Sequence, residues 1–131
     1  MTSMPSDDIT PYVRIGGEAG VRALTERFYD LMDMEPQFAQ LRSVHGASLA
    51  SAREKLFLFL SGWLGGPPLY TDRYGHPKLR ARHLPFPIAT TERDQWLACM
   101  RRALADTAVD ASLADGLMDA FFQTADWMRN R

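Results

Sequence analysis

The chain has a single cysteine, Cys99. No intrachain disulfide can form from one thiol, so a reducing compartment, the cytoplasm, is expected. Excess charge of either sign is also missing, since 15 lysines and arginines against 16 acids leave a net charge of -1. A nucleic-acid partner held through its phosphates needs a clear basic excess, and none is expected here. No run approaches the roughly 18 apolar residues of a membrane span, so no membrane partner is expected. The N-terminal MTSMPSDDIT lacks a charged start followed by an apolar stretch and does not read as a secretory signal. Strand-type alternation, internal repeats and low-complexity tracts are absent. So are a phosphate-binding glycine loop, G-x-S-x-G, H-E-x-x-H and C-x-x-C-H.

What is present is helical. With 131 residues, 46% hydrophobic and 24% charged, the composition is that of one globular domain. Residues 1–11 are polar and read as a mobile tail, leaving 12–131 as the folded domain. Val21, Leu24, Phe28, Leu31 and Met32 recur at helical spacing over about 18–34, and Pro36 ends the pattern. A second helix starts near Ser48 or Ser51, where Ser51 and Glu54 have capping-box spacing. Ala52, Leu56, Phe59, Leu60 and Trp63 share one of its faces, and Gly65-Gly66-Pro67-Pro68 stops it. Residues 65–89 hold five prolines and three glycines and read as a long ordered loop. A loop of that length in so small a domain usually carries function. Thr91 opens a third helix, with Trp96, Met100, Ala103 and Leu104 as its apolar stripe. Asp110 or Ser112 caps a fourth, marked by Leu113, Leu117, Ala120, Phe121, Ala125 and Met128.

The histidines are His45, His76 and His83. Zinc is a poor fit, because no pair has a short chelating spacing even if Cys99 is added. His83 differs from the others in its neighbours. Leu79, Leu84, Phe86 and Ile88 offer an apolar wall, while Lys78, Arg80 and Arg82 offer cations. A neutral imidazole suits iron, and a greasy wall with adjacent cations suits a flat apolar macrocycle bearing two carboxylates. Without C-x-x-C-H, any haem is held non-covalently.

Phe28-Tyr29, Gly65-Gly66-Pro67, the whole segment from Tyr74 to Ile88, and Trp96-Leu97-Ala98-Cys99-Met100 together resemble the group II truncated haemoglobins. The resemblance runs over about residues 12–129. It implies an all-α, two-over-two helical sandwich around haem b, with His83 as the proximal iron ligand. It implies propionate contacts from Arg82, Lys55 and Tyr70, and haem-wall positions for Phe59, Leu60 and Phe86. On the distal side it implies Tyr29, Trp96 and His45, with Ala52 at the gate that is histidine in ordinary globins and Leu56 one turn on.

The function implied is reversible binding of dioxygen and other small ligands such as nitric oxide, carbon monoxide, sulfide or peroxide. Tyr29 offers a hydroxyl, Trp96 an indole N–H and His45 an imidazole N–H to the ligand. Oxygen transport is one use of such a site. A haem enzyme for nitric oxide dioxygenation or peroxide detoxification is the alternative, and it requires an external reductase. A cofactor-free helical interaction module is the third reading. Either a monomer or a homodimer is compatible with the sequence.

Overall fold

In the computed structural model, residues 9–131 are described, so the first eight residues of the expected tail lie outside it. The order is α1 (Pro11–Arg14), α2 (Gly17–Met34), a 3-10 turn (Pro36–Phe38), α3 (Ala39–Ser43), α4 (Ala50–Trp63), α5 (Leu69–Tyr74), α6 (Leu79–His83), α7 (Thr90–Asp106) and α8 (Ala111–Trp127). No strand occurs among the described residues. Helix formation begins just before the expected boundary at residue 12. The Thr10 hydroxyl accepts from Val13 N, and Pro11 stands at the first helical position, where its missing N–H costs nothing. Tyr12 N then donates to Leu64 O at 2.9 Å, and the Tyr12 ring lies flat enough on Gly66 that a Cβ there would sit 2.4 Å from it.

Four long helices form two layers. α2 packs on both α4 and α7, and α7 packs on α8. The α2 stripe is fully engaged, with Val21, Leu24, Phe28 and Leu31 all sealed from solvent. α7 contributes Cys99, Met100, Ala103 and Leu104 to the same core. α8 contributes Leu113, Leu117, Met118 and Phe121, while Ala120 of its expected stripe is exposed. Ion pairs fasten the layers at their rims: Arg53 with Glu26 and Asp30, Arg22 with Glu54, and Arg27 with Asp106.

Two expectations need correcting. The Ser51–Glu54 capping box does not form. α4 begins at Ala50 with Leu49 before it, so Ser51 lies inside the first turn and Ser48 Oγ accepts from Ala50 N instead. Residues 65–89 are not one loop either. α5 and α6 fill much of the span, each about one turn long and separated by Gly75 and Pro77. At the start of α7 the cap comes from within the helix, where Glu92 Oε1 accepts from Ala89 N at 2.7 Å.

Candidate functional site

α4 carries apolar residues on two faces. Phe57, Leu58, Leu60 and Leu64 are buried. Ala52, Leu56, Phe59 and Trp63, at spacings of four, three and four, are only partly covered. A helix that is apolar on both sides is built to be covered on both sides. The second stripe continues across the molecule: Trp63 stacks on Phe121 at 4.5 Å, and Phe121 meets Trp96 at 5.3 Å. From the segment after α6, Leu84 and Phe86 remain 54% and 44% exposed, high values for large apolar side chains.

Tyr29, Trp96 and His45 are linked by a run of aromatic contacts. Phe28 bridges the first two, with its ring 5.0 Å from Tyr29 and 5.2 Å from Trp96. The rings of Tyr29 and His45 meet edge-on at 6.0 Å. Burial pushes the Tyr29 hydroxyl far above its ordinary pKa, Arg53 opposing and Cys99 adding to the shift, so it stays a protonated donor. Among the described residues neither the Tyr29 hydroxyl nor the Trp96 N–H has a hydrogen-bond partner, and neither is a sealed, unpartnered atom. Two donors at one site are thus free to meet a small molecule. Cys99, behind them, is not part of it. Its thiol points at Phe28 O (3.2 Å), and burial pushes its pKa up to about 12, which leaves it inert.

The structure gives His45 a polarity opposite to the one expected. Its Nδ1 lies 3.0 Å from Leu41 O, and a carbonyl only accepts, so the proton sits on Nδ1. Burial, Arg42 and His83 lower its pKa, against the Leu41 hydrogen bond, which raises it. In the neutral ring Nε2 is therefore an acceptor. The expected N–H donor role fails for this tautomer and requires protonation.

His83 closes α6 and is half-buried. Its Nδ1 donates to Leu79 O at 2.6 Å, which leaves the Nε2 lone pair free in the tautomer a metal needs. Of the cations expected beside His83, Arg82 joins Lys55 and Arg73 around two tyrosines, while Arg80 turns to Trp127. Arg82 stands 6.0 Å over the Tyr70 ring, and Lys55 and Arg73 stand 5.9 and 5.3 Å over Tyr74. Tyr70 touches both Tyr74 (5.0 Å) and Phe59 (6.4 Å). Arg82, Lys55, Tyr70 and Phe59 are thus brought to one edge, while Leu60 is fully buried on the other side of α4. His76 is exposed and uses its Nδ1 to accept from Lys78 N.

Sequence reasoning missed Asn130. Its Oδ1 accepts from Ile88 N (3.0 Å), and its Nδ2 donates to Phe86 O (2.8 Å) and His83 O (3.3 Å). Its own N–H donates to Ile88 O at 2.9 Å. One side chain near the C-terminus therefore fixes the segment that carries His83. Replacing Asn130 with alanine removes three side-chain hydrogen bonds from a partly exposed site. The expected cost is about 1–2 kcal/mol in urea unfolding. Haem loss to an excess of a haem acceptor should quicken as well, and unchanged haem retention would mean the clamp does not reach His83.

The half-covered apolar stripe, the Nε2 left free on His83 and the cations at one edge fit a haem, and the layered helices around them are those of a globin. A family model described as bacterial-like globin matches residues 10–130. The chain is 38% identical over 121 residues to a group 2 truncated haemoglobin of Bacillus subtilis, covering 92% of this chain and 89% of that one. Among solved structures, a group II 2-on-2 haemoglobin from Agrobacterium tumefaciens superposes with a TM-score of 0.92 at 45% identity, over 99% of this chain and 98% of that one. A cold-adapted truncated haemoglobin from Pseudoalteromonas haloplanktis gives 0.90 at 44% identity, over 93% and 98%. A truncated oxygen-avid haemoglobin from Bacillus subtilis gives 0.84 at 38%, over 92% and 99%. The chain belongs to the bacterial-like globins and, within them, to the group II truncated haemoglobins. It is by family a haem-based ligand-binding protein. No helix among the described residues is long and apolar enough to cross a membrane.

Proposed function

We propose that the chain holds one haem b on His83 Nε2 and binds dioxygen, and other small ligands, tightly enough to release them slowly. The observation that carries this reading is the pair of unpartnered donors, Tyr29 O–H and Trp96 N–H, gathered by Phe28, together with the Nε2 left free on His83. A haem held there would supply an iron able to bind a diatomic ligand. Leu79 O sets the His83 tautomer, and Asn130 holds the backbone around it. Arg82, Lys55 and Tyr70 stand where two carboxylates would be met. Ala52 and Leu56 leave an apolar, donor-free approach. A reducing cytoplasm suits both the lone thiol Cys99 and a ferrous iron.

Hydrogen bonds to a charged acceptor contribute about 1.5–3 kcal/mol each. Two of them disfavour rapid unloading, which suits oxygen transport poorly. They favour chemistry on the held ligand, such as nitric oxide dioxygenation or peroxide reduction, with electrons from an external donor. The oxygen dissociation rate of the ferrous protein decides between these uses. Slow release supports the present reading, and rapid release supports transport.

His45 adds a pH dependence whose sign follows from its tautomer. Above its depressed pKa, Nε2 accepts and gives a bound ligand nothing. Below it, Nε2 gains a proton and becomes a third donor. Oxygen release should therefore slow as pH falls through that value, below the ordinary 6.5. His45→Gln should abolish the trend, and an identical pH profile in the variant would place His45 out of reach of the ligand.

The contact from Arg82 is exposed, so its contribution is modest and salt-sensitive. Arg82→Ala should speed haem loss at low salt and leave the ligand-bound spectra unchanged. Equal haem retention at low salt would remove Arg82 from the propionate site.

A further inference from the structure

All 15 lysines and arginines lie among the described residues. Nine of them are ion-paired with a carboxylate: Arg14, Arg22, Arg27, Arg42, Arg53, Arg93, Arg101, Arg102 and Arg129. The six others are Lys55, Arg73, Lys78, Arg80, Arg82 and Arg131, and among the described residues none has a carboxylate partner. They are not scattered. Lys55, Arg73 and Arg82 surround Tyr70 and Tyr74, Lys78 and Arg80 belong to the start of α6, and the backbone N–H of Arg131 donates to Ile88 O. Across residues 65–89 the only acid is Asp72. Among the described residues, the unneutralised lysines and arginines thus gather around the segment that carries His83.

The same side presents an apolar anchor. Trp127 is 64% exposed, and Arg80 lies over its ring at 5.1 Å while donating to Trp127 O and Arg129 O. Between α8 and the α5–α6 connection runs an open groove of about 520 Å³, lined by His76, Lys78, Leu79, Arg80 and Trp127 among others. An exposed tryptophan braced by an arginine within a rim of cations has the composition of a protein-docking surface. Two propionates neutralise at most two of the six cations, so most of the charge is left to face outward.

We infer that this surface docks an acidic protein that carries single electrons, and that Arg73, Lys78 and Trp127 form its contact. The inference rests on the reading of His83 as the iron ligand, because that reading puts the redox centre on the same short segment as Lys78, Arg80 and Arg82. Charge complementarity raises the encounter rate and orients the partner, and it does so only at low ionic strength. The reaction served is a one-electron transfer. The reduced carrier loses one electron and ferric iron becomes ferrous, with no bond made or broken.

The test uses the haem-loaded protein and purified flavodoxin, an acidic flavoprotein, as the probe. Calorimetric titration with the oxidised flavodoxin should show saturable one-to-one binding that weakens steeply with salt. The double variant Arg73→Glu, Lys78→Glu should bind about tenfold or more weakly, and reduction of the ferric protein by reduced flavodoxin should slow by a similar factor. Trp127→Ala, which leaves the charge unchanged, should also weaken binding about tenfold. Reduction by photoreduced riboflavin, which has the same chemistry without the charge, should be unaffected in both variants. The control is Arg101→Glu, which reverses a charge that is paired with Asp115 outside the patch and should change little. The inference fails if flavodoxin does not bind, or if Arg101→Glu weakens binding as much as the double variant. It also fails if phosphatidylglycerol vesicles bind the wild type through these residues and flavodoxin does not, which would make the patch a membrane contact. If His83 is not the iron ligand, the His83→Ala spectrum reveals it separately, and the titration still reports on the surface.

Discussion

His83→Ala should leave the protein without its normal Soret band. The imidazole is the one ring on its side of the site with a free lone pair, because Nδ1 is committed to Leu79 O at 2.6 Å and Nε2 is not. Removing a hydrogen-bonding partner behind a metal ligand already costs about 10–100-fold in affinity, and removing the ligand itself should cost more. What haem remains would be held by Phe59, Phe86, Trp96 and the edge cations, which fix neither its height nor its spin state. Added imidazole should restore much of the band by filling the space the side chain leaves. The other histidines are poor substitutes. His76 is exposed and turned to its own backbone, and His45 lies on the Tyr29 side. An unchanged spectrum in His83→Ala would overturn the assignment and point to His76 or His45. The clamp variant Asn130→Ala serves as an internal comparison, since it should loosen the same ligand without removing it.

How much of this was legible in the sequence depended on the range of the interactions involved. α2, α7 and α8 were readable because several turns of apolar periodicity and local caps such as Asp110 agree over 17 or 18 residues. α5 and α6 were not, since helices of six and five residues between prolines carry too little period to be told from a turn. Ser51 and Glu54 had the right spacing for a cap, but the helix starts one residue earlier, at Ala50, and so takes Ser51 into its first turn. The family was readable from its motifs, of which Phe28-Tyr29 and Trp96-Leu97-Ala98-Cys99-Met100 are two. Their chemistry was less so. The polarity of His45 depends on the carbonyl of Leu41, four residues back along a bend that only the fold defines. The Asn130 clamp joins positions 42 to 47 residues apart, and an isolated asparagine near a terminus gives no sign of it. Likewise the charge balance looked uninformative at -1, because the neutralised and unneutralised arginines differ only in where the carboxylates fold.

Trp96→Phe should release oxygen roughly 10- to 150-fold faster, the kinetic equivalent of losing a hydrogen bond of about 1.5–3 kcal/mol to a charged acceptor. Phenylalanine retains an aromatic ring against Phe28 and Phe121, which hold the indole at 5.2 and 5.3 Å, so the variant tests the N–H more than the bulk. The indole N–H is suited to this because no described residue competes for it. Tyr29→Phe should have an effect of the same order, since burial keeps the hydroxyl protonated and therefore always a donor. If both bonds converge on one ligand atom, the double variant should fall short of the product of the two single effects, because each donor helps orient the acceptor for the other. Carbon monoxide is the control. Once bound it carries less charge on its outer atom, and its release should change much less. Fluoride binding to the ferric protein, which also relies on donors, should weaken. Unchanged oxygen release in Trp96→Phe would reduce the tryptophan to a packing residue between Phe28 and Phe121. Equal acceleration of oxygen and carbon monoxide would make it a steric cage, because only a hydrogen-bond donor distinguishes the two ligands by charge.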